Sequence, residues 1–224
     1  MDLWSLVTAF PWRSLLDVSA LILSIVNGFM LFRSYVRDRP RLSVKPVYPE
    51  VYQWFFKLPS EPFEGQPTTK FGFLAYLDIL NRGLRDVTCD AWNLCLQKPD
   101  GGKVGPLNPL SIVEPRILLG KSTMPKTYPV LGQRGEFSTG EMMVKSGDSI
   151  SGFAYYIFEY VGGTESTVIR SDGTVMGNVI VTDIFGKSAS EKIVFREITL
   201  DRARSLVTGI ENADAEMERK LQDQ

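Results

Sequence analysis

The chain of 224 residues contains no histidine. That absence removes serine–histidine and cysteine–histidine catalysis, imidazole metal ligation and histidine pH switching together. Cysteine is scarce, with Cys89 and Cys95 only, too few for the disulfide framework of a small secreted domain. Neither sign of charge is in excess, since 25 basic and 26 acidic residues leave a formal net charge of −1. A chain so balanced sets up no global positive field, and no nucleic-acid partner is expected. What remains is ordinary globular composition, 44% apolar, 11% aromatic and 23% charged, which excludes disorder and collagen-like structure.

One long hydrophobic run is present. Leu15 to Phe32 reads LLDVSALILSIVNGFMLF, with Asp17 its single charge and Arg13 and Arg33 on either side. At about 1.5 Å per residue, the segment between those arginines spans roughly 28 Å, close to the hydrocarbon thickness of a bilayer. The run is long for the apolar part of a signal peptide, and no small-x-small cleavage pattern precedes the basic stretch Arg33 to Arg37. The sequence therefore predicts an uncleaved transmembrane helix over 14–33, with a short tail, 1–13, before it and a basic juxtamembrane linker, 34–40, after it. Trp4, Trp12, Phe32 and Tyr35 stand near its ends, where amphipathic rings favour the interface.

The flanks give an orientation. Arg33, Arg37, Arg39, Arg41 and Lys45 follow the run against Asp38 alone, whereas Arg13 precedes it beside Asp2. The positive-inside bias puts the N-terminus outside and the rest in the cytoplasm, most simply at a bacterial inner membrane. Cys89 and Cys95 lie in one strand-like stretch, Val87 to Leu96. Six strand residues separate their Cα atoms by roughly 20 Å, and a disulfide needs less than about 7 Å. Two free thiols fit a reducing compartment.

Beyond the linker the apolar period changes from helical to alternating. Phe71, Phe73, Ala75, Leu77 and Ile79 share one face, and Asn81-Arg82-Gly83 supplies turn chemistry. Val87 to Leu96 follows and closes on Pro99-Asp100-Gly101-Gly102, a hairpin signal. Phe153 to Tyr160, Val175 to Phe185 and Lys192 to Ile198 read the same way, as do Leu42 to Tyr48 and Tyr52 to Leu58. Short strands with repeated turns predict a mainly β domain over 41–199, an antiparallel β-sandwich, with a closed barrel as second choice. Residues 105–140 hold Pro106, Pro109, Pro115, Pro125 and Pro129 and are excluded from central strands. They read as a long crossover over a sheet edge, or as a recognition loop. Leu200, Ala203, Val207, Ile210, Met217 and Leu221 recur at helical spacing, which predicts a C-terminal amphipathic helix over 200–224 that either docks on the domain or self-associates.

The turns Asn81-Arg82-Gly83, Lys145-Ser146-Gly147-Asp148 and Asp183-Ile184-Phe185-Gly186-Lys187, set between alternating strands, resemble those of bacterial immunoglobulin-like domains. One N-terminal span, a basic stop and such a domain is a layout similar to that of uncharacterised bacterial single-span membrane proteins. The resemblance implies an immunoglobulin-like sandwich and carries no catalytic residue. The cysteine spacing departs from the inter-sheet disulfide of antibody-type domains.

Candidate chemistry is sparse. Gly120-Lys121-Ser122-Thr123 has Pro115 where a phosphate-binding loop needs its first glycine, and is rejected. Asp183 with Gly186-Lys187 reads as an Asp-capped turn rather than a ligand site. Asp78 and Asp90 lack the clustered oxygens that calcium wants. Neither cysteine has a base to activate it. Half of the aromatic run Tyr52 to Phe56 is assigned to core packing, its other half facing out or onto a second layer. No cofactor or metal is expected. The span itself carries the clearest pattern: Ala20, Ser24 and Gly28 recur every fourth residue, with Asp17 and Asn27 on or beside that stripe. Small residues at this spacing let helices approach closely, and polar ones hydrogen-bond across the contact. The expectation is a non-enzymatic, membrane-tethered interaction or sensing module, its partners the lipid bilayer and either a second copy or another membrane protein. An oligomerising membrane effector, whose helix perturbs or gates the bilayer, is the alternative.

Overall fold

The apolar run near the N-terminus folds as one helix, α1 (Trp12–Arg37), and the alternating sequence after it folds as strands. The computed structural model describes residues 12–37, 39, 41–110, 116–119, 126–131, 142–162 and 168–206. In chain order the strands are β1 (Leu42–Pro46), β2 (Gln53–Leu58), β3 (Thr68–Asn81), β4 (Val87–Gln97), β5 (Lys103–Leu107) and β6 (Arg116–Leu119). They continue as β7 (Lys126–Pro129), β8 (Met143–Val144), β9 (Ser149–Val161), β10 (Thr174–Asp183) and β11 (Ser188–Glu197), and a short helix, α2 (Leu200–Leu206), follows. The protein is mainly β, with an N-terminal apolar helix and a short helix after the last strand.

Helix α1 runs past the expected limit of 33, through residues 34–37 of the expected linker. Nothing in Arg33-Ser34-Tyr35-Val36-Arg37 breaks a helix, and the first proline beyond it is Pro40. The expected C-terminal helix is described over Leu200–Leu206; its continuation over 207–224 lies outside the described residues, as do the tail 1–11 and the stretch 120–123.

Among the described residues nine strands join one sheet, in the order β1-β3-β2-β11-β10-β4-β5, with β9 on β3 and β8 on β4. Strand β3 organises it. Along one edge β9 pairs from Thr68 to Leu80, and along the other β2 takes Lys70–Ala75 and β1 takes Leu77–Asn81. Gln53 bridges the gap between β1 and β2. Its buried amide donates from Nε2 to the carbonyls of Val47 and Tyr76, at 3.2 and 3.1 Å, and its Oε1 accepts from the Tyr76 amide at 3.2 Å. A side-chain amide thus replaces the missing rung.

The expectation of a wholly antiparallel sheet is corrected at one seam. Strands β2 and β11 pair in parallel, Arg196 opposite Trp54 and Glu197 opposite Phe55. Chain-distant strands are free of the hairpin geometry that makes sequence neighbours antiparallel. Beside this seam Phe195 of β11 meets Phe73 edge-on at 5.2 Å, and Phe55 of β2 stacks on Phe73 at 6.1 Å. The result is a mixed sheet.

Two hydrophobic cores cover opposite faces of β2, β3 and β9. The larger gathers Phe73 and Ile79 with Tyr156, Leu94, Val179 and Phe195. Within it the Tyr156 hydroxyl donates to the Trp92 carbonyl at 2.8 Å, tying β9 to β4, and burial pushes its pKa up. The smaller holds Phe56, Leu74, Phe153 and Tyr155, with Ala203 and Leu206 of α2 over them. Gly72 permits a close stack there: the rings of Phe56 and Tyr155 lie 6.2 Å apart and 7° from parallel, and a Cβ on Gly72 would fall 2.5 Å from Phe56. The ends of the proline-rich segment complete the cover. The amides of Leu110 and Leu131 donate to the carbonyls of Tyr155 and Phe153, so these two residues lie along the edge of β9 opposite β3; most of 105–140 between and beyond them lies outside the described residues.

Candidate functional site

Where α1 ends, the sheet presents three turns, 82–86 between β3 and β4, 145–148 between β8 and β9, and 184–187 between β10 and β11. Two buried polar side chains fix them. Asn81 donates from Nδ2 to the carbonyls of Arg85, at 2.7 Å, and Val144, at 3.1 Å. Its Oδ1 accepts from the amides of Gly83 and Arg41, at 2.9 and 3.3 Å. One amide therefore joins the start of β1 to two turns. Asp183 does the same for the third, its Oδ1 accepting from the amides of Phe185 and Lys187, each at 2.9 Å. Gly186, at φ 76°, closes that turn. The Asp-capped turn expected from the sequence is present, with the carboxylate committed to its own backbone.

Between these turns and α1 lie two clefts. The first, about 290 Å³, is lined by Tyr35, Arg39, Arg85, Asp86, Phe185 and Lys187. The second, about 340 Å³, is lined by residues that include Val36, Arg39, Arg41 and Lys187. The Arg39 guanidinium stands 4.5 Å over the Tyr35 ring, a cation–π pair. Asp86 accepts from the Ser146 amide at 2.9 Å. Beside the clefts three apolar side chains face solvent: Leu84 is 56% exposed, Ile184 57% and Phe185 67%.

The residues singled out in the sequence divide between helix and cleft. Asp17, Ala20, Ser24, Asn27 and Gly28 are exposed along α1, and a Cβ at Gly28 would meet open space. Arg33 is exposed, Arg37 is the last residue of α1, Arg39 is half-buried in both clefts and Arg41 lines the second. Sequence reading missed Leu84, Arg85 and Phe185. The available signal was an apolar pair, Ile184-Phe185, at the tip of a turn whose ends are polar, since hairpin turns are ordinarily polar throughout.

The remaining candidates are structural. Cys89 and Cys95 are free, the first buried and the second half-buried. Burial, and then the negative charge of Asp183, push the Cys89 thiol up from 9.0 to about 11, the opposite of what a nucleophile needs. Asp78 accepts from the Ser151 hydroxyl at 2.7 Å, and Asp90 is exposed on β4, which is not a sheet neighbour of β3. Phe55 and Phe56 enter opposite cores, while Tyr52 and Trp54 pack partly on the smaller one. Among the described residues no group of three or more His, Cys, Asp or Glu comes together.

No protein-family model matches the chain, and no curated protein matches it. Solved structures give distant likenesses. A putative ApaA protein from Bordetella pertussis is 10% identical over 71% of this chain and 96% of its own, with a TM-score of 0.29. A second structural-genomics target is 9% identical over 72% of this chain and 89% of its own, also with a TM-score of 0.29. A family 123 glycoside hydrolase from Clostridium perfringens is 9% identical over 72% of this chain and 28% of its own, with a TM-score of 0.31.

Proposed function

We propose that the protein is a membrane-tethered, non-enzymatic module whose β domain presents a binding face close to the bilayer. The exposure of α1 carries this reading. The stretch Asp17–Val36 has a mean hydropathy of 1.4, and among the described residues none of it is buried. A core helix of a soluble protein is covered by its own fold. Twenty helical residues extend about 30 Å, enough to cross the hydrocarbon. A removable leader ends before its domain begins, whereas Tyr35 and Val36 share clefts with Phe185 and Lys187 of the sheet. That sharing supports a permanent anchor.

Arginines at 33, 37, 39 and 41 support an outside N-terminus and a cytoplasmic β domain. The contact of Tyr156 with Trp92, and of Phe73 with Phe195, supports a sheet wound into two layers as an immunoglobulin-like sandwich. The exposed stripe Ala20-Ser24-Gly28 with Asp17 and Asn27 suits close approach of a second copy or of another membrane helix. Two measurements test the proposal. Labelling of intact cells from outside should modify a cysteine introduced at Asp2 and spare one at Gln222; the reverse pattern sinks the orientation. Induced expression should leave growth normal, and growth arrest with dye entry would instead identify a membrane effector.

A further inference from the structure

We propose that the turns beside α1 form a second membrane contact. Leu84, Ile184 and Phe185 enter the boundary between headgroups and acyl chains, and Arg39, Arg85 and Lys187 bind the phosphates of anionic lipids. The contact rests on the reading of α1 as an anchor, and it adds that the β domain lies against the bilayer instead of swinging on its tether.

Four observations converge on it. The turns do not need these apolar residues: Asp183 and Gly186 close one, and Asn81 holds the other. Large apolar side chains left in solvent on a turn fixed from behind mark a contact surface, already ordered for binding. Their place is right. Tyr35 and Phe185 line the same cleft, and the apolar stretch of α1 ends at Val36, so Phe185 lies beside the end of the span, near which lipid headgroups would lie. The charge is right as well. Among the described residues Arg85 and Lys187 make no ion pair. The two clefts are lined by Arg39, Arg41, Arg85 and Lys187 against the carboxylates of Asp86 and Asp183, so the basic side chains outnumber the acidic ones. Cations beside exposed apolar side chains, with Arg39 stacked on Tyr35, suit an anionic membrane surface.

The test uses the full chain in nanodiscs of phosphatidylcholine alone or with phosphatidylglycerol. A spin label is placed at Phe185→Cys, with Cys95→Ala to remove the half-buried thiol. Its accessibility to oxygen and to a water-soluble nickel complex gives its depth, and a label at Leu23→Cys reports on the anchor. In anionic discs the label at 185 should lie about 5–10 Å below the phosphates. It should rise toward water in neutral discs, in 1 M salt and in Arg85→Glu/Lys187→Glu, while the label at 23 stays deep throughout. A label at Leu84→Cys gives the same reading from the other turn if Phe185→Cys disturbs its own. Aqueous values at both turns in anionic discs, with position 23 deep, overturn the contact and leave the anchor standing. Protection at the turns only in native membranes overturns it too, and assigns the patch to a protein partner. Aqueous values at position 23 overturn the anchor and this contact together.

Discussion

Helix α1 and strand β3 are the two most apolar stretches of the chain, and their surroundings are opposite. Each carries one charge in its apolar run, Asp17 in the helix and Asp78 in the strand. In β3 the side chains of Phe73, Leu74 and Leu77 are fully buried, whereas in α1 Leu21 is 62% exposed, Leu23 65% and Leu31 71%. The strand finds cover on both faces from its own chain, the larger core on one side and the smaller core on the other. Among the described residues the helix finds none from Asp17 to Arg33, all of which are exposed. Burying one leucine or phenylalanine is worth about 1.5–3 kcal/mol, so a row of such residues left in water opposes solubility strongly. Apolar composition states that cover is needed; the fold shows whether the chain itself provides it.

The largest expected effect breaks the comparison at the strand. Phe73→Ala removes a ring shared by Phe55 and Phe195 and should lower the unfolding free energy of the β domain by about 3–5 kcal/mol. Leu23→Ala, on the helix, should leave the same urea transition of the detergent-solubilised chain unmoved. Equal losses would place Leu23 in the fold and remove the contrast.

A second effect sharpens the contrast between buried and open positions within one strand. Cys89 ionises near pH 11 in the folded state and near 9.0 when unfolded. The folded protein then holds a proton that the unfolded one releases, so stability from this thiol is intact below pH 9 and declines as pH rises through 11. Cys89→Ala should flatten that decline in urea titrations at pH 8, 9.5 and 10.5. An unchanged slope contradicts the burial of this thiol.

The smallest effect concerns what covers α1. Gly28→Ile should weaken helix association in a membrane two-hybrid assay, because its side chain would hold the two backbones apart, while Leu23→Ile should not. Identical behaviour of the two would leave the stripe facing lipid.

The alternation of Phe71, Phe73, Ala75, Leu77 and Ile79 was legible because a period of two is written in consecutive residues, and all five lie in the larger core. The burial of Leu74 was not, because the smaller core that it joins includes Ala203 and Leu206, more than a hundred positions away in the chain. The β2–β11 pairing was hidden for the same reason, since no local turn joins these strands. At the candidate site the turn chemistry of Asn81 and Asp183 was readable from residue type. The gathering of Arg39, Arg85, Phe185 and Lys187 was not, because it depends on α1 meeting the sheet beside two separate turns.

The central claim is that lipid supplies the cover α1 lacks, and that α1 stays attached. Alkaline carbonate extraction of membranes from cells expressing the full chain, followed by intact-mass measurement, tests both parts. The protein should remain in the membrane pellet at its whole mass of 25.2 kDa. Release into the supernatant, or a mass short of the residues through Phe32, would contradict it.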